Sequence, residues 1–139
     1  MTKTNIHFFL FFIFLASPLM ASANAHDPRA INADPLTATS PIAPKLSGLG
    51  DHVFPVTSAN PESAYFFQQG FRLTLGFNHS EALRSFKEAI RLDPDNAMAY
   101  WGWAMALGPN LNLWMQPEVV KSAFEAIQKA NSLKAKVSA

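Results

Sequence analysis

The chain has 139 residues, with 11 basic and 10 acidic side chains, 12 phenylalanines and no cysteine. That length holds one modest domain, and the lack of cysteine excludes a disulfide framework, a zinc–thiolate site and a lipid-modified cysteine anchor. Near-neutral charge without a basic stripe gives no electrostatic footprint for nucleic acid or an anionic membrane.

Lys3, the apolar run FFLFFIFLA at 8–16 and the small residues ASANA at 21–25 predict a secretory signal peptide, residues 1–25, cleaved after Ala25. A membrane helix needs about 20 apolar residues, and Ser17-Pro18 interrupts this run too early, so no stable membrane insertion is expected after cleavage. Cleavage removes Lys3 and no acid, leaving a neutral chain bound for the periplasm or the exterior. His26 then comes first, where an amino terminus and an imidazole together can bind copper. One such residue on a tail does not make a metal site.

Residues 26–60 carry Pro28, Pro35, Pro41, Pro44 and Pro55 among Ser, Thr and Gly, a composition that predicts a disordered or extended linker. HVFPV at 52–56 is the exception, an apolar piece able to dock on the helices that follow.

Asn60, Pro61 and Glu62 give a cap, a first-turn proline and an acid for the positive end of a first helix. Its apolar run is Ala64, Phe66, Phe67, Phe71, Leu73 and Leu75, and Gly76 with Asn78 marks the stop. Asn78 and Glu81 have capping-box spacing for a second helix, whose apolar face is Ala82, Leu83, Phe86, Ala89, Ile90 and Leu92. Pro94 ends it. A third helix spans Ala97 to Leu107 and stops at Gly108-Pro109. After the loop GPNLNLWMQ at 108–116, Pro117 opens a fourth helix, weakly capped by Gln116, with Val120, Ala123, Phe124, Ile127, Ala130 and Leu133 expected to face inward.

The spacing Phe66-x2-Gln69-Gly70-x2-Leu73, then Ala82-x3-Phe86-x2-Ala89-x4-Pro94, resembles the tetratricopeptide repeat, and residues 63–96 match its 34-residue period. Phe66, Gln69 and Leu73 stand where that family prefers Trp, Leu and Tyr. Small residues let two helices approach, so Gly70 and Ala82 are expected to face each other. Phe86 fills the space between hairpins, Ala89 admits the next helix, and Pro94 turns the chain. One period on, Tyr100, Trp103, Ala104 and Leu107 fit the first helix of a second repeat, about 97–135. Its second half, Ala123-x3-Ile127-x2-Ala130, is displaced by seven extra residues in the 108–116 loop, and no proline follows. The run GFNHSEALRSFKEAIRLDPDNAMAYWGWAMALGPNLN is also similar to secreted bacterial proteins carrying such repeats. The fold expected is therefore all-α, with tandem helix-turn-helix hairpins over 61–139 forming an α-solenoid fragment behind a cleaved signal peptide and a disordered linker.

In the family it resembles, ligands usually lie on the concave face lined by the first helix of each repeat. Phe67, Phe71, Thr74, Trp101 and Met105 occupy those positions and would form an apolar groove for an extended peptide or a helix. Further repeats, or the 52–56 segment, would cover the same residues. His79 starts a helix, where turn formation accounts for it, and His52 has no companion at metal-ligand spacing. No nucleophile elbow, phosphate loop or paired-carboxylate signature is present, so neither catalysis nor a cofactor or metal is expected. The function expected is a secreted protein-interaction module with a protein or peptide partner. The competing readings are an N-terminal piece of a longer enzyme or metal-binding protein, and a truncated product. Two hairpins are few for a solenoid, so self-association or further repeats are expected to cover the open end.

Overall fold

The computed structural model describes residues 36–137; the expected signal peptide, its cleavage site and His26 lie outside the described residues. Four helices follow one another: α1 (Pro61–Leu75), α2 (His79–Leu92), α3 (Ala97–Leu107) and α4 (Pro117–Ser132), then a 3-10 turn, Lys134–Lys136. The described residues contain no strand; Asn110 and Leu113 form an isolated bridge within the loop before α4.

The helix ends follow from local chemistry. The Asn60 side chain accepts from the Glu62 N–H at 2.9 Å, and Pro61 occupies the first turn, where no donor is needed. Asn96 caps α3 in the same way, through the Ala99 N–H at 3.0 Å. The capping box at α2 is half made: Asn78 accepts from Glu81 N–H at 3.4 Å, while the Glu81 carboxylate pairs with Arg84. Gln116 makes no side-chain cap, and its amide donates to the Trp114 carbonyl instead. At the end of α1 the left-handed residue is Phe77, with φ 59°, not Gly76. Phe77 N–H reaches Thr74 O and Asn78 N–H reaches Leu73 O, the two bonds of a Schellman turn.

Each helix packs chiefly on its chain neighbour, and α3 also touches α1. Phe86 is the junction. It is fully buried, and a Cβ on Gly70 of α1 would lie 2.8 Å from its ring, one on Gly102 of α3 only 2.3 Å. The nearest atoms across from Gly70 are thus those of the Phe86 ring, not Ala82 as expected. The close approach on α3 falls at Gly102, two residues before Ala104. Ala82 and Ala89 are fully buried as expected of contact positions, Tyr100 is buried, and Pro94 sits exposed in the α2–α3 turn. Buried polar groups are tied down too: Ser63 Oγ donates to Ala89 O at 2.7 Å and accepts from Asn96 Nδ2 at 2.9 Å.

Two expectations are corrected. First, α4 buries Val119, Ala123, Ala126 and Ala130, and Leu133 just past its end, while Val120, Phe124 and Ile127, expected inward, stay exposed at 48%, 60% and 41%. Small residues on the buried stripe let α4 lie close to α3, which turns the larger side chains outward. Second, the chain from 41 to 60 is not a disordered linker but a strap held along α1 and α2. Ile42 and Ala43 are buried, and long-range side chains fix the strap's main chain at every few residues. Proline-rich composition only removes backbone donors; both polar groups of Ile42, Leu46 and Phe54, and the Pro44 and His52 carbonyls, have partners on the helices.

Candidate functional site

The strap's first stretch crosses the outer side of α1 and α2. Ile42 N–H donates to Glu88 at 2.9 Å, and Arg84 donates to Ile42 O at 2.7 Å. Gln69 holds the next turn of chain, accepting from Leu46 N–H at 2.8 Å and donating to Pro44 O at 2.9 Å. Glu88 is buried yet doubly paired with Arg91, at 2.6 and 2.8 Å. Burial works against its charge, but hydrogen bonds from Arg91 and the Ile42 N–H, with the Arg91 charge, outweigh it and hold the carboxyl below its ordinary range. At the strap's end, Asp93 accepts from Ser58 Oγ at 2.6 Å and Ala59 N–H at 3.0 Å. Burial again opposes the charge, and the Ser58 hydroxyl and neighbouring N–H groups pull the Asp93 carboxyl below its ordinary value.

Gly48 and Gly50, both left-handed at φ 79° and 78°, turn the strap between its two seats. The second seat is aromatic. Phe54 lies over Phe71 at 5.1 Å and Phe67 at 6.1 Å between centroids, and stacks on Trp101 at 6.1 Å. His52 stacks on Phe71 at 5.8 Å. Gln68 grips the Phe54 main chain from both sides, accepting from its N–H at 2.9 Å and donating to its C=O at 2.6 Å, and Arg72 donates to His52 O. An extended segment is therefore recognised by one amide fork and one aromatic box.

The predicted groove residues divide accordingly. Phe67 is fully buried and Phe71 partly covered, both beneath the 52–56 segment. Thr74 donates to Gly70 O within its own helix at 2.9 Å. Trp101 stands at the boundary: one side meets Phe54, and the other lines an open cleft of about 430 Å³ with Met105, Met115, Val120, Phe124 and Ile127. A second hollow of about 580 Å³ lies towards the end of α4, between Met98, Trp101, Ile127, Ala130 and Val137. Together these make one apolar face, half occupied by the chain itself and half open.

Sequence reasoning missed Gln68, Gln69, Glu88 and Asp93 as the strap's anchors. The signal of Gln68, Gln69 and Glu88 was polarity within helices that are otherwise apolar on their buried side, whereas Asp93 follows the end of α2. Met115, Phe124 and Ile127 were missed as cleft walls because the apolar stripe of α4 was turned inward. His79 is buried, with Phe77 edge-on to its ring at 6.1 Å. No group of three or more metal-ligating side chains occurs among the described residues, and no helix among them is long and apolar enough to cross a membrane. No family model matches the chain, and neither a curated protein nor a solved structure does.

Proposed function

We propose that this chain is a secreted or periplasmic protein-interaction module, non-catalytic and without a cofactor, built on tetratricopeptide-like hairpins as a short α-solenoid. The observation that carries the reading is the seating of the chain's own extended 52–56 segment. Gln68 takes both polar groups of the Phe54 backbone, and Phe67, Phe71 and Trp101 take its ring. The same apolar face continues past Trp101 as an open cleft walled by Met105, Met115 and Phe124. Deformable methionines beside rigid aromatics suit a surface that accepts protein segments. Export follows from the amino-terminal pattern of residues 1–25.

The test is selection of displayed random peptides on the immobilised chain, residues 26–139. Peptides with an aromatic anchor should be enriched, and Trp101→Ala or Phe124→Glu should abolish their binding. No enrichment over background, or binding indifferent to both variants, would contradict the reading.

A further inference from the structure

We propose that residues 51–57 are a tethered competitor. They occupy a peptide seat, and a partner segment of the same pattern, extended chain with an aromatic residue followed by proline, enters only when they leave. The inference rests on reading this face as an interaction surface; it adds the motif that the closed half takes and the step that opens it.

The strap is fastened unevenly. At its start Ile42 and Ala43 are buried, and charged groups hold the main chain, the Glu88 carboxylate on the Ile42 N–H and the Arg84 guanidinium on the Ile42 carbonyl. At its end the Asp93 carboxylate takes the Ser58 hydroxyl and the Ala59 N–H. Such charge-assisted bonds are roughly twice as strong as neutral ones. Between these fastenings no residue from 47 to 57 is buried. Phe54 is held there by the uncharged Gln68 amide and by ring contacts. One charged group reaches this stretch, Arg72 on the His52 carbonyl, and that bond lies at the surface. Just before the stretch Gly50 is left-handed at φ 78°, and a Cβ on it would meet nothing within 4 Å, so the chain can swing there unobstructed.

The seat specifies its ligand. Gln68 accepts from the Phe54 N–H at 2.9 Å and donates to the Phe54 C=O at 2.6 Å, a pairing open to any residue in extended chain. Phe67, Phe71 and Trp101 surround the ring, which selects an aromatic side chain. Pro55 keeps Phe54 out of helical conformation and brings no N–H that needs a partner. Val53 and Pro55 on either side are exposed, so one side chain is read and its neighbours are left free. None of this depends on the rest of the chain. Fastened at both ends, the released stretch stays nearby at an effective concentration on the order of millimolar, and it weakens a free peptide by the share of time it holds the seat.

A synthetic peptide of residues 51–57, DHVFPVT, is the probe, titrated into residues 26–139 while the Trp101 indole signal is followed. Phe54→Ala vacates the seat and should tighten peptide binding at least tenfold over the wild-type chain. Adding Gln68→Ala, or replacing the phenylalanine of the peptide by alanine, should abolish that gain. In the unmodified chain the Phe54 amide should show at least tenfold less hydrogen-exchange protection than the Ile42 and Ala59 amides, and less again in excess peptide. Equal affinity for the wild-type and Phe54→Ala chains, binding by neither, or a Phe54 amide as protected as Ile42 overturns the proposal. The exchange measurement needs no variant, so it decides even where Phe54→Ala fails to fold. Displayed peptides that bind through Phe124 while DHVFPVT does not bind the Phe54→Ala chain remove only the tethered competitor; binding of neither removes the interaction reading as well.

Discussion

The ring of Phe86 lies between two backbones that carry no Cβ, Gly70 on α1 and Gly102 on α3, while Phe67 packs on it at 5.7 Å. Gly102→Ala sets two effects against each other. Alanine favours a helix over glycine by about 1 kcal/mol, but forcing a methyl into a packed interior costs about 1–3 kcal/mol. A Cβ only 2.3 Å from a ring hemmed in by its neighbours belongs at the costly end, so a net loss of about 1–2 kcal/mol is expected. A urea midpoint that rises after Gly102→Ala would show that Phe86 is not wedged there. Removing the ring itself, Phe86→Ala, should cost about 3–5 kcal/mol. Phe77 presents the opposite case. Its left-handed φ of 59° is strained for a residue with a Cβ, and its side chain is 44% exposed. The strain is worth roughly 1–2 kcal/mol, so Phe77→Gly should raise the thermal midpoint unless the Phe77–His79 ring contact is worth as much. A lowered midpoint would assign that contact the larger share.

At the scale of elements, the strap is hung on two carboxylates, Glu88 and Asp93, both held below their ordinary values in the folded chain. A carboxyl lowered by folding adds stability above its unfolded value, near pH 4, and loses it as pH falls through the lower folded value. Stability should therefore be insensitive to these groups at neutral pH and fall below about pH 4. The Ile42 and Ala59 amides, which donate to the two carboxylates, should lose hydrogen-exchange protection before the α2 amides do. Simultaneous loss in all of them would mean that the strap has no separate attachment. Element boundaries were the legible part of the sequence, because Asn60, Asn78, Pro61 and Pro117 act on their own neighbours. Of the strap only HVFPV at 52–56 was legible, as an apolar piece able to dock; the rest was not. Its bonds join residues far apart in the chain, Ile42 to Glu88 and Phe54 to Gln68, and composition carries no trace of such pairings. The rotation of α4 was hidden for another reason. Two apolar stripes run side by side on it, and only the closeness of α3 decides that the alanine-rich one is buried.

For the molecule as a whole, the distribution of apolar surface is the central fact. One end is closed by the strap, the first half of the aromatic face is filled by Phe54, and the second half is open around Met105, Met115 and Phe124. Of the expected groove residues, Trp101 and Met105 line the open cleft, while Phe67 is buried under the 52–56 segment. Of the five methionines, Met98, Met105 and Met115 are those beyond residue 25, and all three line the two hollows of this face. Methyl-labelled methionine spectra of residues 26–139 therefore report on that surface alone. Adding a selected peptide should shift the Met105 and Met115 methyl signals. Peptide binding that leaves both signals in place would put the docking surface elsewhere and contradict the account.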